Sequence, residues 1–171
     1  MQVNKIKCEL FIQDVPNHQT HKKILLDLIK QLPNNPYENI SKTDWNLPKK
    51  LERKYLDYFY PNISKSLMDN LQVYYKSKSW RITNAWFQQY KKNSYHEYHN
   101  HTQTNFTNVY FLELPDTNFK TIIKIENKEY EYKVKEGQLI TFPAHLLHTS
   151  KPNGYKRKTI ISFNSDFHYD V

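Results

Sequence analysis

Residues 106–114 FTNVYFLEL, 120–125 KTIIKI, 129–134 EYEYKV and 138–142 QLITF are short β-forming runs that follow one another with no helical pattern between them. In 129–134, Tyr130, Tyr132 and Val134 alternate with charged residues, as in an antiparallel strand with one face in water. Val109 to Leu112 is continuously apolar and reads as a central strand. Outward from this block, runs at 81–91, 96–102, 146–150 and 158–164 have the same character and bring the total to eight. A doubly wound sheet needs helices between its strands, and none fit here. The expected fold is mainly β with flanking α-helices: a jelly-roll, cupin-like barrel braced on one face.

The texture changes near residue 78. Residues 5 to 12 read as a short strand, and Ile24, Leu25, Leu28, Ile29 and Leu32 then recur at helical spacing, with Asn17 or Thr20 available as a cap. A second helix is expected to begin at Pro61, where a proline suits a first turn, and to carry Ile63, Leu67, Leu71 and Tyr74 on one stripe. A weaker helical pattern covers 48 to 58. The 171 residues suit one domain, with 1–78 as a helical support and 79–171 as the β core.

Composition excludes several classes. Gly137 and Gly154 are the only glycines, so no glycine-rich phosphate loop exists. Cys8 is the only cysteine, so a disulfide framework is excluded and a reducing, cytoplasmic setting is expected. The first twenty residues lack the apolar core of a signal peptide, and no run approaches the length of a membrane span. Lys plus Arg exceed Asp plus Glu by eight, which suits a polyanionic partner, yet only Arg53, Arg81 and Arg157 are arginine. Phosphate recognition favours arginine forks, so nucleic acid is possible but not the favoured partner.

Five of the eight histidines, His96, His99, His101, His145 and His148, fall within 53 residues of one another, all in the β region. Side chains at i and i+2 of a strand share a face with their Cα atoms roughly 6.5–7 Å apart. That is close enough for His99 and His101 to bind one ion at about 2.1 Å. His148, at the start of a later run, is the natural third ligand, and His145 is expected in the preceding loop. Strand parity puts Glu97 on the face of His99 and His101, as an alternative carboxylate ligand, and turns His96 the other way unless a bulge intervenes.

The segment from Asn84 to Leu114, NAWFQQYKKNSYHEYHNHTQTNFTNVYFLEL, followed by EGQLITFPAHLLHTSKPNGYKRKTIISFN, resembles a family of 2-oxoglutarate- and Fe(II)-dependent oxygenases of phages and marine bacteria. The resemblance rests on the H-x-H pair leading into an apolar strand, the F-P-x-x-x-x-H segment and the closing strand. It covers about half the chain. It implies a double-stranded β-helix in which His99, His101 and His148 hold Fe(II), and a cytoplasmic location, that of the host if the chain is phage-encoded. Most of the wider superfamily carries Asp or Glu where His101 stands, and three neutral histidines leave the site one negative charge poorer.

The resemblance also implies a 2-oxoglutarate pocket, with Lys158 pairing to the distal carboxylate and Ser162 as its hydroxyl partner. Arg157 is the competing cation, since its fork suits a carboxylate, but strand parity sets it on the opposite face. By similarity to prolyl hydroxylases, Tyr90 and Tyr110 reach the co-substrate as well. Trp80, Trp86, Phe106 and Phe142 are candidates to line a dry pocket, although the barrel core is the commoner place for them. Three protein ligands leave three positions on Fe(II), two for the 2-oxoacid and one for dioxygen. The reading is a 2-oxoglutarate/Fe(II) dioxygenase, an oxidoreductase that hydroxylates an unidentified substrate. The alternatives are a cupin-like three-histidine metalloenzyme without 2-oxoglutarate and a non-enzymatic basic binding protein.

Overall fold

The computed structural model describes residues 8–126 and 128–169. In chain order the strands are β1 (Phe11–Asp14), β2 (Lys42–Thr43), β3 (Ser79–Tyr90), β4 (His96–His99), β5 (Phe106–Glu113), β6 (Ile122–Ile125), β7 (Lys128–Tyr130), β8 (Gln138–Pro143), β9 (Leu147–Ser150) and β10 (Lys158–His168). The helices are α1 (His18–Lys30), α2 (Lys54–Phe59) and α3 (Lys65–Tyr75), with a π turn over Tyr60–Ser64 joining the last two. Each run expected beyond residue 80 contains a strand, but two are shorter than expected: the strand expected over 96–102 ends at His99, and the one expected over 129–134 ends at Tyr130, which leaves Tyr132 and Val134 outside it. The first strand starts later than expected, and the part of that reading over residues 5–7 lies outside the described residues.

Two antiparallel sheets form, with strand orders β1-β8-β5-β10-β3-β2 and β4-β9-β6-β7. The six-stranded sheet is covered on one face by the helices and on the other by the four-stranded sheet. Strand alternation sorts its side chains between these layers. Phe87, Tyr110, Leu112, Ile161 and Phe163 face the helices and pack with Leu25, Ile29, Phe59 and Leu67. Tyr90, Val109, Phe111, Ile140, Phe142 and Ile160 face the other way, into a second core shared with Ile123 of the small sheet. Val109 to Leu112 is apolar throughout because β5 lies between β8 and β10 with both faces covered.

The helical region corrects three expectations. Pro61 does not open a helix. It lies inside a run that is helical from Lys54 to Tyr75, in the π turn, where a wider turn accommodates a residue that lacks an N–H and crowds the preceding carbonyls. The turn keeps Tyr55, Phe59, Ile63, Leu67 and Leu71 buried at intervals of four, and leaves Tyr74 exposed instead of completing the stripe. Asn17 precedes α1 in a left-handed conformation (φ 53°) and makes no side-chain cap; its carbonyl accepts from the Thr20 and His21 amides.

Candidate metal centre

His99 ends β4, His101 follows it, and His148 lies on β9, the neighbouring strand. In the β4–β9 ladder His96 pairs with Ser150 and His99 with His148, a register shift of one residue that marks a bulge between them. One ring nitrogen from each of His99, His101 and His148 falls within 4.8 Å of the other two. Glu97 is not part of this cluster; it is exposed, and its carbonyl rather than its carboxylate takes part, accepting from His99 Nδ1 at 2.8 Å. The bulge also turns His96 toward the other three, with its ring centroid 4.0 Å from that of His99. His145 is exposed in the loop before β9, as expected.

The donor set fits a metal ion. Each imidazole gives its Nδ1 proton to an oxygen: His99 to the Glu97 carbonyl, His148 to the Leu146 carbonyl at 3.0 Å, and His101 to Asn164 Oδ1 at 2.6 Å. Those bonds fix the tautomer that leaves the three Nε2 lone pairs free, which is how ligating histidines are commonly held. Burial pushes all three below the usual histidine pKa, and His148 down to about 3, so the cluster stays neutral. A neutral imidazole is the ligating form.

On the inner side, the same face of the large sheet presents Trp86, Gln88, Tyr90, Val109, Ile160 and Ser162 around a cavity of about 20 Å³. Lys158 is fully buried at the end of this face. Its ammonium donates to the Phe119 carbonyl at 2.9 Å and to Ser150 Oγ, and stands 4.1 Å from the centre of the Tyr90 ring. All of these partners are neutral, and burial pushes its pKa down to about 7.

Tyr90 lines the cavity, and Lys158 lies on the inward face of β10, the face that strand parity gives it. Ser162 lines the cavity from the same strand face, but the hydroxyl that touches Lys158 belongs to Ser150. Arg157 points outward and makes a two-pronged pair with Glu113 at 2.8 and 2.9 Å. Tyr110 is a correction: it lies on the helix-facing side of β5, opposite to Val109, where its hydroxyl is 2.6 Å from His18 Nδ1 and its ring stacks on Phe59. Trp86 lines the site and Phe142 packs on His148, whereas Trp80 and Phe106 belong to the helix-side core. Asn164 and Ser150 were not anticipated. Asn164 shares the face of Lys158 and Ser162, a signal present in the alternation of the last strand.

No protein-family model matches the chain, and neither does any curated protein. Solved structures do. A 2OG-Fe(II) oxygenase family oxidoreductase from Burkholderia pseudomallei superposes with a TM-score of 0.71 at 12% identity, covering 92% of this chain and 84% of that one. The fold is the double-stranded β-helix. The viral collagen prolyl hydroxylase of Paramecium bursaria Chlorella virus-1, solved with 2OG, has the same β-helix with a TM-score of 0.62 at 14% identity over 94% of this chain and 96% of that one. A Pseudomonas putida prolyl-4-hydroxylase gives 0.62 and 14%, over 95% and 93%. In this double-stranded β-helix the histidine cluster sits between the two sheets. No helix among the described residues is long and apolar enough to cross a membrane.

Proposed function

We propose that the protein is a 2-oxoglutarate- and Fe(II)-dependent oxygenase acting as a hydroxylase. The observation that carries this reading is Lys158: an ammonium buried among neutral partners, behind Ser150 and Tyr90, which line a cavity together with the three histidines. A buried cation without a counter-charge is costly, and the distal carboxylate of a 2-oxoacid would complete it. His99, His101 and His148 would hold the iron, and Ser150 and Tyr90 would orient Lys158. Bound Fe(II) would supply the activation of dioxygen and the oxidative decarboxylation of the 2-oxoacid. The protein's part is to hold three neutral imidazoles in fixed tautomers, to line the inner cavity with Val109 and Ile160 while Phe142 backs His148, and to leave one side open to substrate.

Titration of 2-oxoglutarate into anaerobic Fe(II) or Mn(II) protein tests the reading. Binding well below millimolar concentration is expected. If none occurs at millimolar concentration, a second reading replaces it, that of a cupin-like metalloenzyme without 2-oxoglutarate. That reading draws on the all-histidine donor set, which lacks the carboxylate of the 2-His-1-carboxylate triad.

A further inference from the structure

The lining of the open side of the metal centre runs against the net charge of the chain. The chain carries a formal charge of +8, yet the cleft of about 630 Å³ that opens on His99 and His101 has no lysine or arginine in its lining and two carboxylates, Glu38 and Glu97. Tyr37, Trp45 and Trp86 supply its aromatic surfaces. Trp45 is half exposed, its indole set edge-on to Trp86 with ring centroids 4.6 Å apart.

These groups are held in place. Glu38 lies in the left-handed region (φ 49°), in a tight turn closed by the two hydrogen bonds exchanged between Tyr37 and Ile40 at 3.2 and 2.8 Å. Glutamate rarely adopts that conformation, and such residues concentrate at functional sites. Trp45 is fixed by its neighbour Asp44, which is buried and accepts from Arg53 Nε at 2.9 Å, Tyr55 Oη at 2.7 Å and the Phe87 amide at 3.0 Å.

A second, independent feature lies deeper in the cleft. The Oδ1 of Asn164 is taken by His101 and Thr107, which leaves its side-chain N–H groups without a partner among the described residues. Asn164 is 94% buried and lines the cleft, so this amide offers a donor to whatever enters.

Away from the metal position, an anionic ligand would meet two carboxylates and no cationic side chain. A cation would meet the carboxylates and the aromatic faces together, the combination that recognises ammonium and guanidinium groups. A free amino acid fits poorly, since its own carboxylate would be left unpaired, whereas a peptide carries amide carbonyls that the Asn164 N–H groups can bind. We propose that the substrate cleft takes an alkylammonium or guanidinium group, carried on a peptide side chain or on a simple amine. The inference rests on the oxygenase reading for its chemistry, though not for its binding.

The test is calorimetric titration of the protein, with Mn(II) and 2-oxoglutarate present, with four probes. They are the acetylated and amidated tripeptide Gly-Lys-Gly, its norleucine and glutamate counterparts, and 1,5-diaminopentane. The lysine peptide is expected to bind at least about 10-fold more tightly than the norleucine peptide, and the glutamate peptide not at all at millimolar concentration. The double variant Glu38→Gln, Glu97→Gln, altered at two exposed side chains, is expected to lose that preference. Diamine binding as tight as the lysine peptide's would assign the site to small amines; weaker binding would assign it to peptide. Equal affinity for lysine and norleucine, no binding of either cation, or an undiminished preference in the double variant would overturn the proposal. Because 2-oxoglutarate binding is read separately, a cation preference without it would remove the oxygenase reading alone, and the reverse result would remove the cation alone.

Discussion

His101 gives its Nδ1 proton to Oδ1 of Asn164 across 2.6 Å, tying a residue at the rim of the four-stranded sheet to the last strand of the six-stranded one. This bond sets which nitrogen of His101 faces the metal position, so Asn164→Ala is expected to weaken metal binding about 10- to 100-fold. Asn164→Asp keeps an acceptor and is expected to retain the ion. Metal affinity measured by competition with a chromogenic chelator separates the two; equal loss in both would mean that packing, not the hydrogen bond, is what matters.

His99→Ala and His148→Ala are each expected to abolish stoichiometric iron or nickel binding, because two imidazoles alone cannot hold the ion at the same strength. His101→Asp restores the commoner carboxylate and is expected to keep the metal. Elemental analysis of the purified variants is the check, and full occupancy in either alanine variant would move the site elsewhere.

Lys158→Ala is expected to weaken 2-oxoglutarate binding by on the order of 10- to 1000-fold with metal affinity nearly unchanged. Arg157→Ala should have little effect, since that guanidinium is already paired with Glu113 on the outer side. With the Lys158 pKa at about 7 before binding, binding at pH 8 to 9 is expected to take up a proton as the carboxylate restores the ammonium. Calorimetry in two buffers of different ionisation enthalpy measures that uptake directly.

The same lysine gives a stability signature. Burial lowers it to about 7 from the 10.5 of an exposed lysine, so between those values the unfolded chain holds more protons than the folded one. Stability therefore rises as pH increases from 7 toward 10, and is lost as pH falls through the folded value. The melting temperature of the ligand-free protein should climb relative to that of Lys158→Met across this interval. Parallel curves would show that the ammonium is not buried in solution.

Tyr110→Phe should leave 2-oxoglutarate affinity unchanged, because that side chain faces the helices. It should instead lower stability by about 1 kcal/mol through loss of the hydroxyl contact with His18. A denaturant titration reads the stability and the co-substrate titration the affinity; a large fall in affinity would put Tyr110 back at the site.

The strands beyond residue 80 were legible because alternation and short apolar runs are local signals. Lys158 and Arg157 could likewise be told apart by parity. Two kinds of feature were not legible. Pro61 reads as a helix start on local grounds, and only packing of Tyr55 through Leu71 against the sheet makes the π turn worthwhile. Tyr110 was assigned by likeness to other enzymes where parity with Val109 would have turned it away. The cleft residues Tyr37, Glu38 and Trp45 come from loops, whose positions depend on long-range anchors such as Asp44 and carry no periodic mark.

Among the described residues the two sheets share no strand ladder. They are held face to face by side chains, and the His101–Asn164 bond is one of the few polar ties between them. An ion held by β4, its following residue and β9, with His101 bonded to β10, would therefore add to the ties that Lys158 with Ser150 and Gln88 with His96 already make between the two leaves. Its free energy of binding is shared with the closing of those leaves, so metal occupancy should slow amide exchange in β4, β9 and β6 more than in the helix-backed β5 and β10. With an ion bound, the histidines would fasten the barrel as well as hold the metal, and removing the ion would loosen first the wall that carries His99 and His148.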